Sequence, residues 1–216
     1  MTAPEIISHL RSLRSEDGIA GQKRFGIEPR TETFGITVPV LREIAKAHKL
    51  NHPLALDLWI TDIHDARILA TFIADPARLT RDQSERWVRE CDTWALTDAL
   101  AFLVDRTPFA ATKARLWTTR QGEFMKRAGF ATMAGMAIHQ KELPDDVFIS
   151  FFPDIVREAI DDRLYVKKSV NWALRQIGKR NPALRKAAVA EAKRIAKIDS
   201  PAARWIAKDA LAELKK

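Results

Sequence analysis

Residues 167–179 have the sequence KKSVNWALRQIGK, and the spacing of their apolar side chains decides the fold class. Val170, Ala173, Leu174 and Ile177 recur at intervals of three and four residues, which places them on one face of a helix. Alternation of β-branched and polar residues, which is typical of half-buried strands, never runs far anywhere in the chain. The sequence therefore predicts an all-α protein.

Four further stretches resemble this helix in texture. They begin near Ala66, Thr93, Lys126 and Ala203, and each follows another predicted helix. The intervals of roughly 30 to 40 residues are close to those of HEAT and armadillo repeats, whose helix pairs bury their apolar faces only by stacking. We expect a single domain over residues 1–216, with HEAT-like helical repeats stacked into a curved solenoid that has a basic concave face.

Prolines and glycines indicate where the helices begin and where the chain is least regular. Prolines at expected helix starts are Pro39, Pro53, Pro108, Pro182 and Pro201. No glycine occurs between Ile36 and Gln121, whereas four of the eight glycines lie within the first 35 residues. We therefore expect an irregular N-terminal segment over about residues 1–36, followed by packed helices joined by tight turns.

Composition excludes several classes of protein. No apolar run approaches the roughly 20 residues of a membrane-spanning helix, and Glu5, His9 and Arg11 interrupt any apolar core of a signal peptide. The single cysteine, Cys91, excludes an internal disulfide and a cysteine-cluster metal site. These features predict a cytoplasmic protein without a membrane segment.

The net charge of +8 is concentrated in the last quarter of the chain. Residues 163–216 contain 15 Lys and Arg against 4 Asp and Glu, a net charge of +11, which leaves −3 for the remainder. Such a basic region favours a polyanionic partner, nucleic acid above all. A solvated charged face is the alternative interpretation.

The helix over residues 167–179 carries an aromatic residue among cations on the side opposite its apolar stripe. Trp172 shares a sector of about 60° with Lys168, Arg175 and Lys179. This combination suits contact with a phosphate backbone and with a sugar or base. Alternatively, Trp172 packs against a neighbouring helix pair and the cations are merely solvated.

The stretch that begins near Thr93 shows a related arrangement with the opposite charge. Its apolar stripe consists of Leu96, Leu100 and Leu103. Its opposite face consists of Trp94, Asp98, Ala101 and Asp105. Trp94 and Asp98 stand four residues apart and are therefore neighbours on the helix surface. Asp98 would either form a structural ion pair or stabilise a developing cation, and Trp205 and Asp209 repeat the same spacing in the last helix.

Arg127 is a charge in a stretch that is otherwise apolar nearly all round, so it requires an anionic partner. Asp98 or a phosphate could serve, and an ordinary structural pair with a carboxylate is the alternative. The five histidines show no metal-ligand spacing, and the chain contains neither a Gly-rich phosphate loop nor a recognisable nucleophile motif. We therefore expect no metal and no cofactor.

Several stretches together resemble the AlkD-type DNA alkylation-repair family. They are RFGIEPRTETFGITVPVLREIAK (24–46), DTWALTD (92–98), FMKRAGFATMAGMAIHQK (124–141), YVKKSVNWALRQIGKRNP (165–182) and ARWIAKDALAEL (203–214). The resemblance extends from about Arg24 to Leu214, and its most specific part is KKSVNWALRQIGKRN.

The resemblance implies a monomeric DNA glycosylase built of HEAT-like repeats, which removes N3- and N7-alkylated purines from double-stranded DNA without metal or organic cofactor. It places the family's tryptophan–aspartate motif on Trp94 and Asp98, its phosphate-side arginine on Arg127 and its second tryptophan on Trp172. Ala95 departs from the acidic residue that often follows the first tryptophan. The cations expected to bind DNA are Lys167, Lys168, Arg175, Lys179 and Arg204.

Two other functions are compatible with a helical repeat of this kind. A catalytically silent relative would bind damaged or branched DNA, and we would expect it to lack the set of Trp94, Asp98 and Trp172. A protein-binding scaffold would expose apolar ridges in place of a cationic face that carries an aromatic residue.

Overall fold

Fourteen α-helices carry the fold within residues 1–215, the part of the chain that the computed structural model describes. They are α1 (Ala3–Ser12), α2 (Glu16–Arg24), α3 (Val38–Lys46), α4 (His52–Trp59), α5 (His64–Ile73), α6 (Arg81–Glu90), α7 (Trp94–Val104), α8 (Ala110–Thr118), α9 (Glu123–His139), α10 (Asp145–Ile149), α11 (Phe152–Glu158), α12 (Leu164–Gly178), α13 (Pro182–Ile195) and α14 (Pro201–Leu214). An isolated bridge between Glu32 and Ile63 is the one β-type pairing among these residues. The predicted all-α fold is confirmed.

The helices fall into two compact units, and each unit contains helix pairs of the predicted kind. The first unit is Met1–Leu103 and the second begins at Val104, in the last turn of α7. The five helices predicted from their similar texture are α5, α7, α9, α12 and α14, and each begins within three residues of its expected start. Each also follows a partner helix, namely α4, α6, α8, α11 or α13.

Two expectations, one about the N-terminal segment and one about the start of a helix, need correction. The segment 1–36 is not irregular throughout, because α1 and α2 occupy residues 3–12 and 16–24, and the one long stretch outside helices is residues 25–37. Pro39, Pro53, Pro182 and Pro201 stand in the first two positions of their helices, as predicted. Pro108 does not, because it lies in the turn before α8, which begins at Ala110.

A buried carboxylate fixes the irregular segment of the first unit. Asp65, on α5, accepts hydrogen bonds from the backbone N–H of Phe34 at 2.6 Å and of Ile36 at 3.0 Å, and from the Thr33 hydroxyl at 2.9 Å. The carboxylate thus accepts hydrogen bonds from backbone N–H groups that a neighbouring strand would pair in a sheet. Without it, burial would leave these N–H groups unpaired. The segment between α2 and α3 is thereby held against α5.

In the second unit, α9 packs against both α8 and α12. The stripe predicted for α12 is confirmed, since Val170, Ala173, Leu174 and Ile177 have no exposed surface. Gly129 allows α9 to approach α8 closely, because a Cβ atom there would lie 2.7 Å from the Ala114 carbonyl oxygen. This packing sets the position of Arg127, two residues earlier on α9.

Candidate functional site

Trp94 and Asp98 lie one turn apart at the start of α7, and both side chains are half-buried. The stripe of Leu96, Leu100 and Leu103 is buried as predicted, so the core fixes the rotation of this helix. The Thr93 hydroxyl accepts a hydrogen bond from the backbone N–H of Leu96 at 3.2 Å, which caps the first turn. The first unit therefore presents an indole and a carboxylate side by side on a rigid element.

The orientation of Trp94 is set by the turn that ends α2. The indole N–H of Trp94 donates a hydrogen bond to the carbonyl oxygen of Phe25 at 2.9 Å. Gly26 has a φ of 69°, its N–H bonds to the Lys23 carbonyl at 2.9 Å, and the N–H of Ile27 bonds to the Gln22 carbonyl at 2.9 Å. These two bonds form a Schellman motif. The motif satisfies earlier carbonyls of α2 and leaves that of Phe25 for the indole.

This contact joins residues that are 69 positions apart, and sequence analysis missed it. The RFG triplet at the end of α2 was the available signal, because glycine after a basic last turn is typical of a helix C-terminus. Phe25 is itself 73% exposed, an unusual degree of exposure for a large aromatic side chain.

Arg127 is 7% exposed and links α9 to α12 in the second unit. Its guanidinium donates from Nη1 to the carbonyl oxygen of Tyr165, in the first turn of α12, at 2.9 Å. The preceding residue, Lys126, pairs with Glu158 at 2.5 Å and with Asp161 at 3.1 Å. Both basic residues thus tie α9 to the segment that leads into α12, which carries Trp172.

Asp161 anchors the start of α12 as a carboxylate. Burial opposes its ionisation, but hydrogen bonds from Arg163 and Lys126 outweigh burial and lower the pKa of Asp161 to about 2. Arg163 also donates to the Gln121 carbonyl at 2.6 Å, so the loop before α9 and the loop before α12 share one charged cluster.

Trp172 is half-buried on α12, and two of its three cationic neighbours have carboxylate partners on α14. Arg175 and Lys179 both bond to Glu213, and Arg175 also lies 3.3 Å from Asp209. The hydrogen bond from Lys179 is the main cause of a lowered pKa at Glu213. The face predicted to be purely cationic is therefore charge-compensated at two of its three cations.

The other predicted DNA-binding cations differ in their surroundings. Lys168 is exposed, and the ammonium of Lys167 lies 5.3 Å from the centre of the Trp205 ring on α14. Arg204 is exposed and pairs with Asp199 at 3.0 Å, a surface contact of little strength.

The second tryptophan–aspartate pair has a different environment from the first. Asp209 accepts a hydrogen bond from the Asn171 amide at 2.6 Å in addition to its contact with Arg175. The predicted stripe of α14, formed by Ala203, Ile206, Ala210 and Leu214, is buried. Asp209 therefore joins α14 to α12 within the second unit.

Two residues predicted on the exposed face of α7 are buried. Ala101 and Asp105 have no exposed surface. Ala101 lies within α7, whereas Asp105 lies beyond its end at Val104, where the chain turns away from the helical direction. Asp105 instead bonds to the Nδ1 atom of His139 at 2.7 Å, and its backbone carbonyl accepts from Gln140 at 2.9 Å. This pair connects the loop before α8 to the end of α9 within the second unit.

The Asp105 carboxyl gives the stability of the second unit a dependence on pH. Burial raises the pKa of Asp105 from 3.8 to about 6, although the hydrogen bond from His139 lowers it. Because the folded state binds this proton more tightly, the stabilising contribution is complete below about pH 4 and is lost as pH rises through 6. Relative to Asp105→Asn, the free energy of unfolding of the wild type should fall by roughly 2–3 kcal/mol between pH 4 and 7.

Urea unfolding of both proteins at several pH values measures this difference. The titrating groups that do not contact Asp105 are unchanged in the variant, so most of their effects cancel in the comparison. A difference that stays constant from pH 4 to 7 would contradict the prediction.

The single cysteine, Cys91, is buried. Burial raises the pKa of the Cys91 thiol, which disfavours a reactive thiolate. Within residues 1–215, no three His, Cys, Asp or Glu side chains are grouped so that they could hold a metal ion. In the same residues no helix is long and apolar enough to cross a membrane.

Comparison with known proteins assigns the family. The DNA alkylation repair enzyme family matches residues 6–214, nearly the whole chain, and the protein belongs to this family. A solved structure described as a new family of proteins related to the HEAT-like repeat DNA glycosylases, with affinity for branched DNA structures, superimposes with a TM-score of 0.79. It is 22% identical in sequence, and the match covers 97% of this chain and 94% of that one, so it confirms the HEAT-like repeat fold.

Two curated relatives match a shorter part of the chain. Uncharacterized proteins from Listeria innocua serovar 6a and Listeria monocytogenes serovar 1/2a are 26% and 25% identical over 134 residues. The matched region spans 60% of this chain and 60% of the length of each relative.

Proposed function

We propose that the protein is a DNA glycosylase that hydrolyses the N-glycosidic bond of positively charged N3- or N7-alkylated purines in double-stranded DNA. The observation that carries the proposal is the pair of Trp94 and Asp98, half-buried and one turn apart on α7, in a member of the DNA alkylation repair family. Asp98 supplies a negative charge and Trp94 an aromatic face, which are the two kinds of group that stabilise a cationic sugar.

The reaction needs little activation of the leaving group. Alkylation at N3 or N7 makes the purine cationic, so the bond from C1′ to the purine nitrogen breaks with its electron pair moving to the base. The sugar then acquires oxocarbenium character, as in other glycoside hydrolyses. Asp98 stabilises this charge and orients the attacking water, whose oxygen bonds to C1′ while its proton passes to the carboxylate or to solvent.

The other candidate residues have supporting roles. Trp172 offers its indole to the cationic deoxyribose or base, and Arg127 binds a phosphate that flanks the lesion. Lys167, Lys168 and Arg204 contact the backbone. Arg175 and Lys179 contribute less than exposed cations would, because a phosphate must first displace Glu213 from them.

Release of free base tests the proposal. Duplex DNA treated with a methylating agent is incubated with the purified protein, and free 7-methylguanine and 3-methyladenine are quantified by chromatography against spontaneous loss in buffer. Enzymatic release without strand cleavage is the expected result. We expect no strand cleavage because no lysine has been assigned as a Schiff-base nucleophile.

A DNA-binding protein without catalytic activity is the second candidate function. The affinity of the structural relative for branched DNA favours it. Binding of methylated, undamaged and four-way-junction DNA without any release of base would support this candidate over the glycosylase.

The turn that orients Trp94 should influence the rate of base excision although it carries none of the proposed catalytic side chains. Gly26→Ala places a side chain at φ 69°, which costs about 1 kcal/mol and displaces the Phe25 carbonyl from the indole. We expect base release to slow about tenfold, since misplacing one positioned group by a fraction of an ångström is enough for such a loss.

Two variants act as controls for Gly26→Ala. Gly26→Asn should restore most of the rate, because asparagine tolerates the left-handed conformation better than alanine. Gly21→Ala, within α2, should be harmless, since a Cβ there has no neighbour nearer than 3.9 Å. Equal rates for Gly26→Ala and the wild type would show that the turn does not position Trp94 for catalysis.

A further inference from the structure

The solvent-facing side of α13 and the turn that follows it carry four basic side chains. Leu184, Ala188, Ala192 and Ile195 form the buried side of this helix. The opposite side exposes three cations, which at 100° per residue lie within about 100° of one another, and a fourth follows in the turn after the helix. They are Arg185, Lys186, Lys193 and Lys197, together called the basic stripe.

No carboxylate compensates this stripe among the residues that the structure describes. Arg175 and Lys179 on α12 bond to Glu213, and Arg194 on α13 bonds to Glu191. None of the four stripe cations has an ionic or hydrogen-bonding side-chain partner within residues 1–215. Their charge is therefore available to an anion outside the chain.

The stripe borders a concavity with an apolar floor. The concavity has a volume of about 600 Å³, and Arg185, Lys186 and Lys193 line it together with Val189 and Leu214. At 1.5 Å per residue, the distance from Arg185 to Lys193 along the helix axis is about 12 Å. Duplex DNA carries one phosphate charge per about 1.7 Å when both strands are counted, so about 12 Å of duplex carries about seven phosphate charges.

We propose that the exposed face of α13 binds the phosphate backbone of duplex DNA, independently of any lesion. The proposal rests on the proposed function only in taking DNA as the partner. It moves the main electrostatic contact of the basic C-terminal quarter from α12, where carboxylates neutralise two cations, to α13, where the structure supplies no compensating charge.

A triple variant with a charge-matched control tests the proposal. The α13 variant is Lys186→Gln/Lys193→Gln/Lys197→Gln, and glutamine is as good a helix former as lysine. The control, Lys49→Gln/Arg78→Gln/Arg86→Gln, removes the same charge from exposed residues of the first unit. Circular dichroism and thermal melting establish that both variants fold.

The measurement is the dissociation constant for undamaged duplex at several salt concentrations. Each phosphate contact contributes about 0.9 to the slope of log K against log salt, so the α13 variant should lose about two to three units of slope. The control should lose much less. Equal slopes for the α13 variant and the wild type, or equal losses in both variants, would overturn the proposal.

The outcome is separable from that of the proposed function. Single-turnover base release at saturating protein and low salt should be unchanged in the α13 variant, because α13 carries none of the proposed catalytic groups. If the wild type binds duplex with an α13-dependent slope but releases no base, the glycosylase proposal fails and the α13 surface stands. If the wild type releases base but the salt slope does not depend on α13, the glycosylase proposal stands and the proposal for the α13 surface fails.

Discussion

Replacement of Asp98 by asparagine should slow release of methylated purine by at least about a hundredfold, a typical loss for a group that stabilises transition-state charge. Asparagine keeps the size and planar shape of the side chain but removes the negative charge that would oppose the oxocarbenium-like sugar. The fold should survive, because the Asp98 side chain is half-buried on the surface of α7 and does not belong to the core. Single-turnover release from methylated duplex measures the rate, while melting temperature and affinity for undamaged duplex measure fold and binding.

Asp209→Asn is the matched control. Asp209 stands four residues after Trp205 as Asp98 does after Trp94, but it accepts a hydrogen bond from Asn171 at 2.6 Å and lies 3.3 Å from Arg175. We expect Asp209→Asn to lower thermal stability and to leave the single-turnover rate near that of the wild type. A normal rate in Asp98→Asn, together with an inactive Asp209→Asn, would mean that the other pair carries the chemistry.

The repeat and its buried stripes could be predicted because they depend on local periodicity. Burial of one helix face requires apolar residues every three or four positions, so the stripe of α12 is visible in the sequence without knowledge of its neighbours. The same logic failed at Ala101 and Asp105. Extrapolating the period to Asp105 assumes that α7 continues, but the helix ends at Val104, and Asp105 bonds to His139 far along the chain. Ala101 lies within α7, and periodicity alone does not show that a neighbouring segment covers it.

The electrostatic character of a helix face was less predictable than its burial. Arg175 and Lys179 appear as free cations in the sequence of α12, yet Glu213 on α14 neutralises both. Interhelical pairing depends on how two helices are rotated against each other, which is set by tertiary packing. Asp209 and Glu213, four residues apart on α14, were the available signal, because they place two carboxylates on one face of the following repeat.

Asp65→Asn should lower the free energy of unfolding of the first unit by roughly 2–4 kcal/mol, since hydrogen bonds to a buried charge are worth more than neutral ones. Both oxygens of Asp65 accept backbone N–H groups, from Phe34 at 2.6 Å and Ile36 at 3.0 Å. Asparagine has one acceptor oxygen, so its amide N–H₂ would face at least one of these donors. Urea unfolding measures the loss, and native-state hydrogen exchange should show the amides of Phe34 and Ile36 opening first.

Asp62→Asn separates the effect of this buried site from that of any Asp→Asn change. Asp62 is exposed at φ 59°, a conformation that asparagine tolerates, and its partner Arg67 keeps Glu90 at 2.9 Å. The control should therefore cost less than about 1 kcal/mol. Because the N–H of Ser15 bonds to the Phe34 carbonyl at 2.9 Å, loosening this segment also loosens α2, whose last carbonyl holds Trp94. Asp65→Asn should accordingly reduce base release more than Asp62→Asn does, and equal stability of the two variants would show that the buried carboxylate does not anchor the segment.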